Sequence, residues 1–360
     1  MKRNFLYLVV LTLFALLVLW MSTPDDGSTE KPVVDVLFLP EISKHINEVS
    51  RVEIISAGNR TVATLVKTGT HWQFEQMGGY QADWVKLQDL LAGLAQARVI
   101  EQKTDKPEYY ARLGVEEVGA GDAGSVLVRI SIGDQTTGIL IGHQATGSPG
   151  QYVRLQNSTA SALVDRRLDV STEQLDWVDS QIIDISASEV AEVEIIHPQG
   201  ERVFVTRVSA DQTDFDFVGL PQGREIKTSW AVNSLGSVFS MLNMETVQTD
   251  GSVDWSDAVK MRLLMFSGIE ILADMLESGD EYLLRLRASF PAADVVKSQS
   301  EDDTTSVEQK DIEKQAAIDV TKKVEDINQK ATGWVYGITK QKYDAMVKKP
   351  EDLLVPLKSP

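Results

Sequence analysis

The chain has 360 residues, 53 Asp and Glu against 35 Lys and Arg, a net charge of −18, 43% hydrophobic residues and no cysteine. That charge opposes nucleic-acid binding, which needs clustered cations against phosphate, and broad docking of the body on anionic lipid. The missing thiols exclude disulfides, thiolate zinc sites, redox chemistry, cysteine nucleophiles and a lipid-modified N-terminal cysteine, and the length leaves room for about two domains.

The first element is an apolar run over residues 5–21, in which Thr12 is the only clearly polar member. At about 1.5 Å per residue its length is roughly 25 Å, near the lower limit for spanning a bilayer. Lys2 and Arg3 precede it, and Asp25, Asp26 and Glu30 follow it. By the positive-inside rule the N-terminus is cytoplasmic and the body lies outside. The run ends Val18-Leu19-Trp20-Met21 with Pro24 close behind. A cleavage site would need small residues there, whereas Trp20 suits an interfacial anchor. The expectation is an uncleaved anchor over residues 1–22 and a polar linker over 23–33.

The body carries an internal repeat. Glu48-Val49-Ser50-Arg51-Val52-Glu53-Ile54-Ile55 returns as Glu189-Val190-Ala191-Glu192-Val193-Glu194-Ile195-Ile196, six of eight positions identical at an offset of 141 residues. Both copies then turn, at Gly58-Asn59 and at Pro198-Gln199-Gly200, and Val62 and Phe74 have counterparts in Val203 and Phe215. A helix follows in each. Asp83 caps one with Leu87, Leu90, Leu91 and Leu94 on one face. Thr228 or Ser229 starts the other, with Trp230, Leu235, Val238, Phe239 and Leu242. Alternating strands come next: Val126, Val128, Ile130 and Ile132, then Ile139 and Ile141; in the second copy Leu263 and Met265, then Ile269 and Ile271. Period two implies one buried face per sheet. The expected fold class is α+β: two tandem copies of an antiparallel-sheet-plus-helix unit, over 34–185 and 186–360, after one N-terminal transmembrane helix.

The second copy contains extra sequence, an insert over 298–331. It opens with a polar, acidic loop and turns helical from about Ser306 to Lys330. Ile312, Ala316, Val320, Val324, Ile327 and Ala331 make a narrow apolar stripe on a charged helix. The stripe fits packing on its own domain or docking on a partner, so Ile312, Val320, Val324 and Ile327 are candidate partner-binding residues. Tyr109, Tyr110 and Arg112 are further candidates, in a short segment that Pro107 can start and Gly114 can end; a packed connector between helix and sheet is the other reading.

No pattern supports a reaction. His45, His71, His143 and His197 have no metal-ligand spacing. The glycines of residues 119–124 lack a lysine and lead into a strand, as a flexible loop does. Glu301-Asp302-Asp303 lacks the spaced ligands and glycine of a calcium loop. No catalytic residue, metal or cofactor is expected.

Several stretches, in order, resemble a known family. They are Trp72-Gln73-Phe74 followed by Tyr80-Gln81-Ala82-Asp83; Tyr109-Tyr110-Ala111-Arg112-Leu113-Gly114-Val115; Leu140-Ile141-Gly142 leading to Gly150-Gln151-Tyr152-Val153-Arg154; and Trp177-Val178-Asp179-Ser180-Gln181-Ile182-Ile183. This order resembles the bacterial DUF4340 family, of uncharacterised function, over about residues 33–354. The resemblance implies an N-terminal anchor, repeated α+β units and association with ABC-type transport components. The functional expectation is a non-enzymatic accessory or scaffold protein of the inner membrane. It would be single-pass through residues 5–21, with a periplasmic body and protein partners in a transporter-type complex. The alternative is a periplasmic ligand-binding module with its site between the two repeats.

Overall fold

The computed structural model describes residues 36–290 and 307–356, and in the helix that opens the second span the side chains from residue 318 onward. The expected anchor and linker, and the run Glu301-Asp302-Asp303, lie outside the described residues. Among the described residues no helix is long and apolar enough to cross a membrane.

The first part of the chain builds one ten-stranded sheet. Its strands are β1 (Val36–Leu37), β2 (Val49–Ser56), β3 (Arg60–Thr68), β4 (His71–Phe74), β5 (Tyr80–Gln81), β6 (Arg98–Gln102), β7 (Val126–Ile132), β8 (Gln135–Gln144), β9 (Gln151–Leu155) and β10 (Ser161–Val164). Their order is β1-β6-β10-β9-β8-β7-β2-β3-β4-β5, and every pairing is antiparallel. Three helices accompany it: α1 (Pro40–Lys44), α2 (Trp84–Gln96) and α3 (Tyr110–Leu113).

The second part holds β11 (Gln181–Ile183), β12 (Val190–Ile196), β13 (Arg202–Thr206), β14 (Asp216–Phe217), α4 (Ser229–Asn233), β15 (Leu242–Asn243), β16 (Thr246–Thr249), β17 (Val259–Met265), β18 (Glu270–Ser278), β19 (Glu281–Ser289), α5 (Val307–Ala331), β20 (Trp334–Gly337), α6 (Lys340–Met346) and α7 (Pro350–Leu353). β11 and β15 pair with each other, and the other eight strands run β14-β13-β12-β17-β18-β19-β20-β16. With β2 set against β12, the two large sheets follow one order. β3 and β4 match β13 and β14 on one side; β7, β8, β9, β10 and β6 match β17, β18, β19, β20 and β16 on the other. The fold is thus mixed and mostly antiparallel, with few helices.

Alternation fixes the register. On β18, Ile271, Ala273 and Met275 are buried between half-buried Glu270, Leu272 and Asp274. A one-residue slip would turn Ile271, Ala273 and Met275 outward and drive Glu270 and Asp274 into the core. The first sheet is covered on both faces near β7 and β8. Val128, Ile130, Ile139 and Ile141 face the main core, while Leu127 and Leu140 join Ile55 and Val118 in a small second cluster. The glycine-rich loop lies beside it, with Gly58 N–H donating to Ala120 O and Asn59 N–H to Val118 O, both at 2.9 Å.

α2 forms as its pattern requires. Asp83 accepts from the Lys86 amide at 3.1 Å, and Leu87, Leu90, Leu91 and Leu94 are buried. Four leucines at about 1.5–3 kcal/mol each outweigh the cap's ~1 kcal/mol, so packing rather than propensity holds the helix. Its entry is tied to the segment that closes the first sheet: Asp83 N–H donates to Trp177 O at 2.8 Å. In the second part Lys227 N–H donates to Leu353 O at the same 2.8 Å, just before the Thr228 cap of α4.

The second helix departs from expectation. α4 ends at Asn233 and tightens into a 3-10 turn over Ser234–Ser237. Ser234 and Ser237 hydroxyls donate back to the carbonyls of Ala231 and Ser234, which competes with helix continuation. Leu235, Val238, Phe239 and Leu242 are buried, Leu242 on β15, but Trp230 is 79% exposed. Five residues separate Trp230 from Leu235, about 140° round a helix, so Trp230 never shared that face.

One core runs through both parts. At their junction Tyr80 of β5 meets Trp334 and Tyr336 of β20 edge-on, at ring separations of 5.0 and 6.2 Å.

Candidate functional site

The sequence candidates do not converge. In α3 and the turn before it, Tyr109 is partly exposed and Arg112 stacks on its ring at 5.1 Å. Tyr110 is buried; its hydroxyl donates to Thr159 O at 2.5 Å, and the buried Arg154 guanidinium sits 4.4 Å over its ring. Tyr110 therefore belongs to the core and is withdrawn as a partner contact, because its ring and Arg154 shield each other there.

On α5, Ile327 is buried and Val320 and Val324 are half-buried against the same core. The chain itself occupies this part of the stripe, so Ile327 is not open to a partner. Ile312 lies on the helix, with its side chain outside the described ones. Polar contacts fasten the same end: Lys323 to Glu189 at 2.7 Å, Lys330 to Asp179 at 2.5 Å, and Asn328 donating to and accepting from the Ala288 backbone at 2.8 Å.

A groove of about 890 Å³ runs between α4 with its 3-10 turn and α6 with α7. Trp230 stands at one wall, and Met241, 67% exposed, at the turn into β15. Met241 has φ +45°, a left-handed conformation that costs a side-chain-bearing residue about 1–2 kcal/mol. Two contacts hold the turn: the Met241 amide donates to Asp184 Oδ1 at 2.8 Å, and Lys342 Nζ to Ser240 O at 2.7 Å. Burial lowers the Lys342 pKa. Across the groove Lys340 is paired with Asp344 at 2.8 Å. This groove meets the usual size of a ligand site and combines apolar walls with polar groups.

A second cleft, about 570 Å³, lies against β17, β18 and β19. Arg285 is its centre. It binds Asp274 at 2.8 Å and Asp250 at 3.2 Å, and lies 4.5 Å over the Trp255 ring, whose Nε1 donates to Asp250 at 2.8 Å. One guanidinium occupies both carboxylates, so they form a structural ion-pair network rather than an acid–base pair. Among the described residues no three His, Asp or Glu side chains gather as metal ligands.

The family model described as Domain of unknown function (DUF4340) matches residues 72–255, just over half the chain. The chain belongs to the DUF4340 family. No curated protein and no solved structure matches it. In this DUF4340 member the matched span begins on β4, includes Trp230, Met241 and Trp255, and stops before β17. It is narrower than the stretch over which the sequence resembles the family.

Sequence reasoning missed both clefts. The Trp230 groove had a legible signal, the five-residue step to Leu235. The Arg285 cluster had none, since Asp250, Trp255, Asp274 and Arg285 come together only through the pairing of β18 with β19 and the nearby chain of β16.

Proposed function

We propose that this DUF4340 protein is a membrane-anchored scaffold subunit, held by residues 5–21 with its body outside the inner membrane, that docks protein partners of an ABC-type transporter. In this reading the body arose by duplication of one α+β unit. The matching strand order of the two sheets and the paired Asp83–Trp177 and Lys227–Leu353 contacts support that origin. The observation that carries the scaffold role is the pair of exposed apolar groups opening α2, Trp84 at 48% and Val85 at 67%, on a helix fixed by its cap and four buried leucines. A large exposed aromatic on a fixed element suits a protein contact. Mild-detergent purification of the full chain from native membranes, after crosslinking in cells, should recover transporter subunits. The joint Trp84→Ala, Val85→Ser variant should lose them while staying folded. Recovery of the chain alone, or unchanged recovery with the variant, refutes the reading.

A second reading is a ligand-binding module with its site between the units. A cleft of about 370 Å³ between β11, at the end of the 34–185 unit, and α5 of the 186–360 unit, with Ile182, Ile183 and Ile327 among its walls, favours it. Filling this cleft with Ile183→Trp should abolish ligand binding there and leave partner recovery intact.

A further inference from the structure

We propose that the groove beside Trp230 binds a neutral oligosaccharide, with the indole as its stacking platform. The groove lies wholly on the second unit, and the proposal stands apart from both readings above. Trp230 is 79% exposed on an element held by the Thr228 cap and by buried Val232 and Leu235. An isolated indole so exposed yet so firmly based offers a flat apolar face in water. The C–H face of a pyranose ring packs on such a face, while its outward hydroxyls need donors and acceptors at the margin.

The margin supplies them. Asn243 and Gln341 are among the lining residues, and their side-chain amides have no hydrogen-bond partner among the described residues. Ser234 and Ser237 hydroxyls each donate to the backbone, which leaves their lone pairs to accept. The charges of the lining nearly balance: Lys340, Lys342 and Lys348 stand against Asp344 and Asp352, with Lys340 paired to Asp344 and Lys342 donating to Ser240 O. What remains is hydrogen bonding of both senses with little net charge, arranged beside one aromatic plane. That chemistry matches a hydroxyl-rich neutral ligand better than an anionic lipid headgroup, which needs a cluster of uncompensated cations, or an amphipathic helix, which needs a continuous apolar floor.

The test uses the full chain in detergent, with β-1,4-linked tetramers of glucose and of N-acetylglucosamine as probes, read by calorimetry and by quenching of tryptophan fluorescence. At least one tetramer should bind at millimolar concentration or below. Trp230→Ala should weaken it by about tenfold or more, Asn243→Ala should weaken it less, and Trp84→Ala should leave it unchanged. Circular dichroism confirms that each variant is folded. Binding of neither tetramer overturns the proposal. So does binding that Trp230→Ala leaves intact, or a groove that takes anionic lipid vesicles in preference to either sugar.

Discussion

Tyr80 decides whether the two sheets behave as one body. Its ring is 4% exposed and sits edge-on to Trp334 and Tyr336 across the junction. Burial pushes the Tyr80 and Tyr336 pKa values up, so both hydroxyls stay protonated and available as donors; that of Tyr336 donates to Lys330 O at 2.7 Å. Truncation to alanine removes a buried aromatic, a change that costs about 3–5 kcal/mol. Of that, the two edge contacts account for about 0.5–1.5 kcal/mol each. Tyr80→Phe keeps the ring and should cost only about 1 kcal/mol. Urea unfolding followed by tryptophan fluorescence and far-ultraviolet circular dichroism measures both. With a slope near the upper end of the ~1–3 kcal/mol/M range, Tyr80→Ala should lower the midpoint by about 1 M or more. The two probes should also separate, because the weakened junction around Trp334 opens before the distant strands melt. A loss below about 1 kcal/mol, or an equal loss in Tyr80→Phe, would show that the ring contacts do not couple the sheets.

Other perturbations address single links. Asp83→Ala should cost about 1 kcal/mol by removing the α2 cap, measured as a shift of the urea midpoint. Asn328→Ala leaves the Ala288 N–H and C=O without their side-chain partner. It should cost about 1–3 kcal/mol and speed amide exchange at the C-terminal end of α5. Acid should destabilise the body through identifiable carboxylates. Lys44 holds Glu41 below the usual carboxylate range, the Ser171 hydroxyl does so for Asp176, Lys349 for Glu201 and Arg224 for Glu351. A depressed folded pKa stabilises the fold fully above the unfolded value of about 4, and that contribution vanishes as pH falls through the lower folded value. The urea midpoint should therefore drop between about pH 4 and 2, and Glu351→Gln should make the drop shallower.

How far the sequence could be read depended on the kind of interaction. Local signals succeeded: the Asp83 cap, the leucine face of α2, the Pro107 start and Gly114 stop around α3, and the helix that became α5. Each is decided within about four residues of backbone. Period two located the strands, but not that Leu127 and Leu140 are buried on the face opposite Val128 and Ile139. That depends on the loop around Val118 folding back. Tyr110 and Tyr109 are adjacent and chemically alike, yet one is buried and the other exposed. The difference lies in Arg154 and Thr159, more than forty residues downstream in sequence. The Trp230 groove failed for a third reason. Grouping Trp230 with the apolar residues that follow it neglects the five-residue step to Leu235, which sets it about 140° away round a helix. Trp230 is exposed while Leu235, Val238, Phe239 and Leu242 are buried.

The segment between β19 and β20 shows how a long connection is tied into a sheet. β9 and β10 are joined by residues 156–160, whereas β19 and the topologically matching β20 are joined by residues 290–333. Lengthening a hairpin connection from five residues to forty-four costs only about 2 kcal/mol of closure entropy. The larger problem is the strand edge it opens. β20 pairs with β19 only at Leu283 and Leu284, so the rest of β19 would present unpaired amides and carbonyls on that side, an invitation to another strand. α5 answers this locally. Asn328 satisfies both Ala288 backbone groups, and Ile327 and Ala331 bury against the core; the isoleucine alone contributes about 1.5–3 kcal/mol, comparable to the closure cost. The C-terminal end of α5 is therefore a cover for β19. A partner that reads this helix must do so away from Ile327 and Ala331, where Ile318 is 51% exposed.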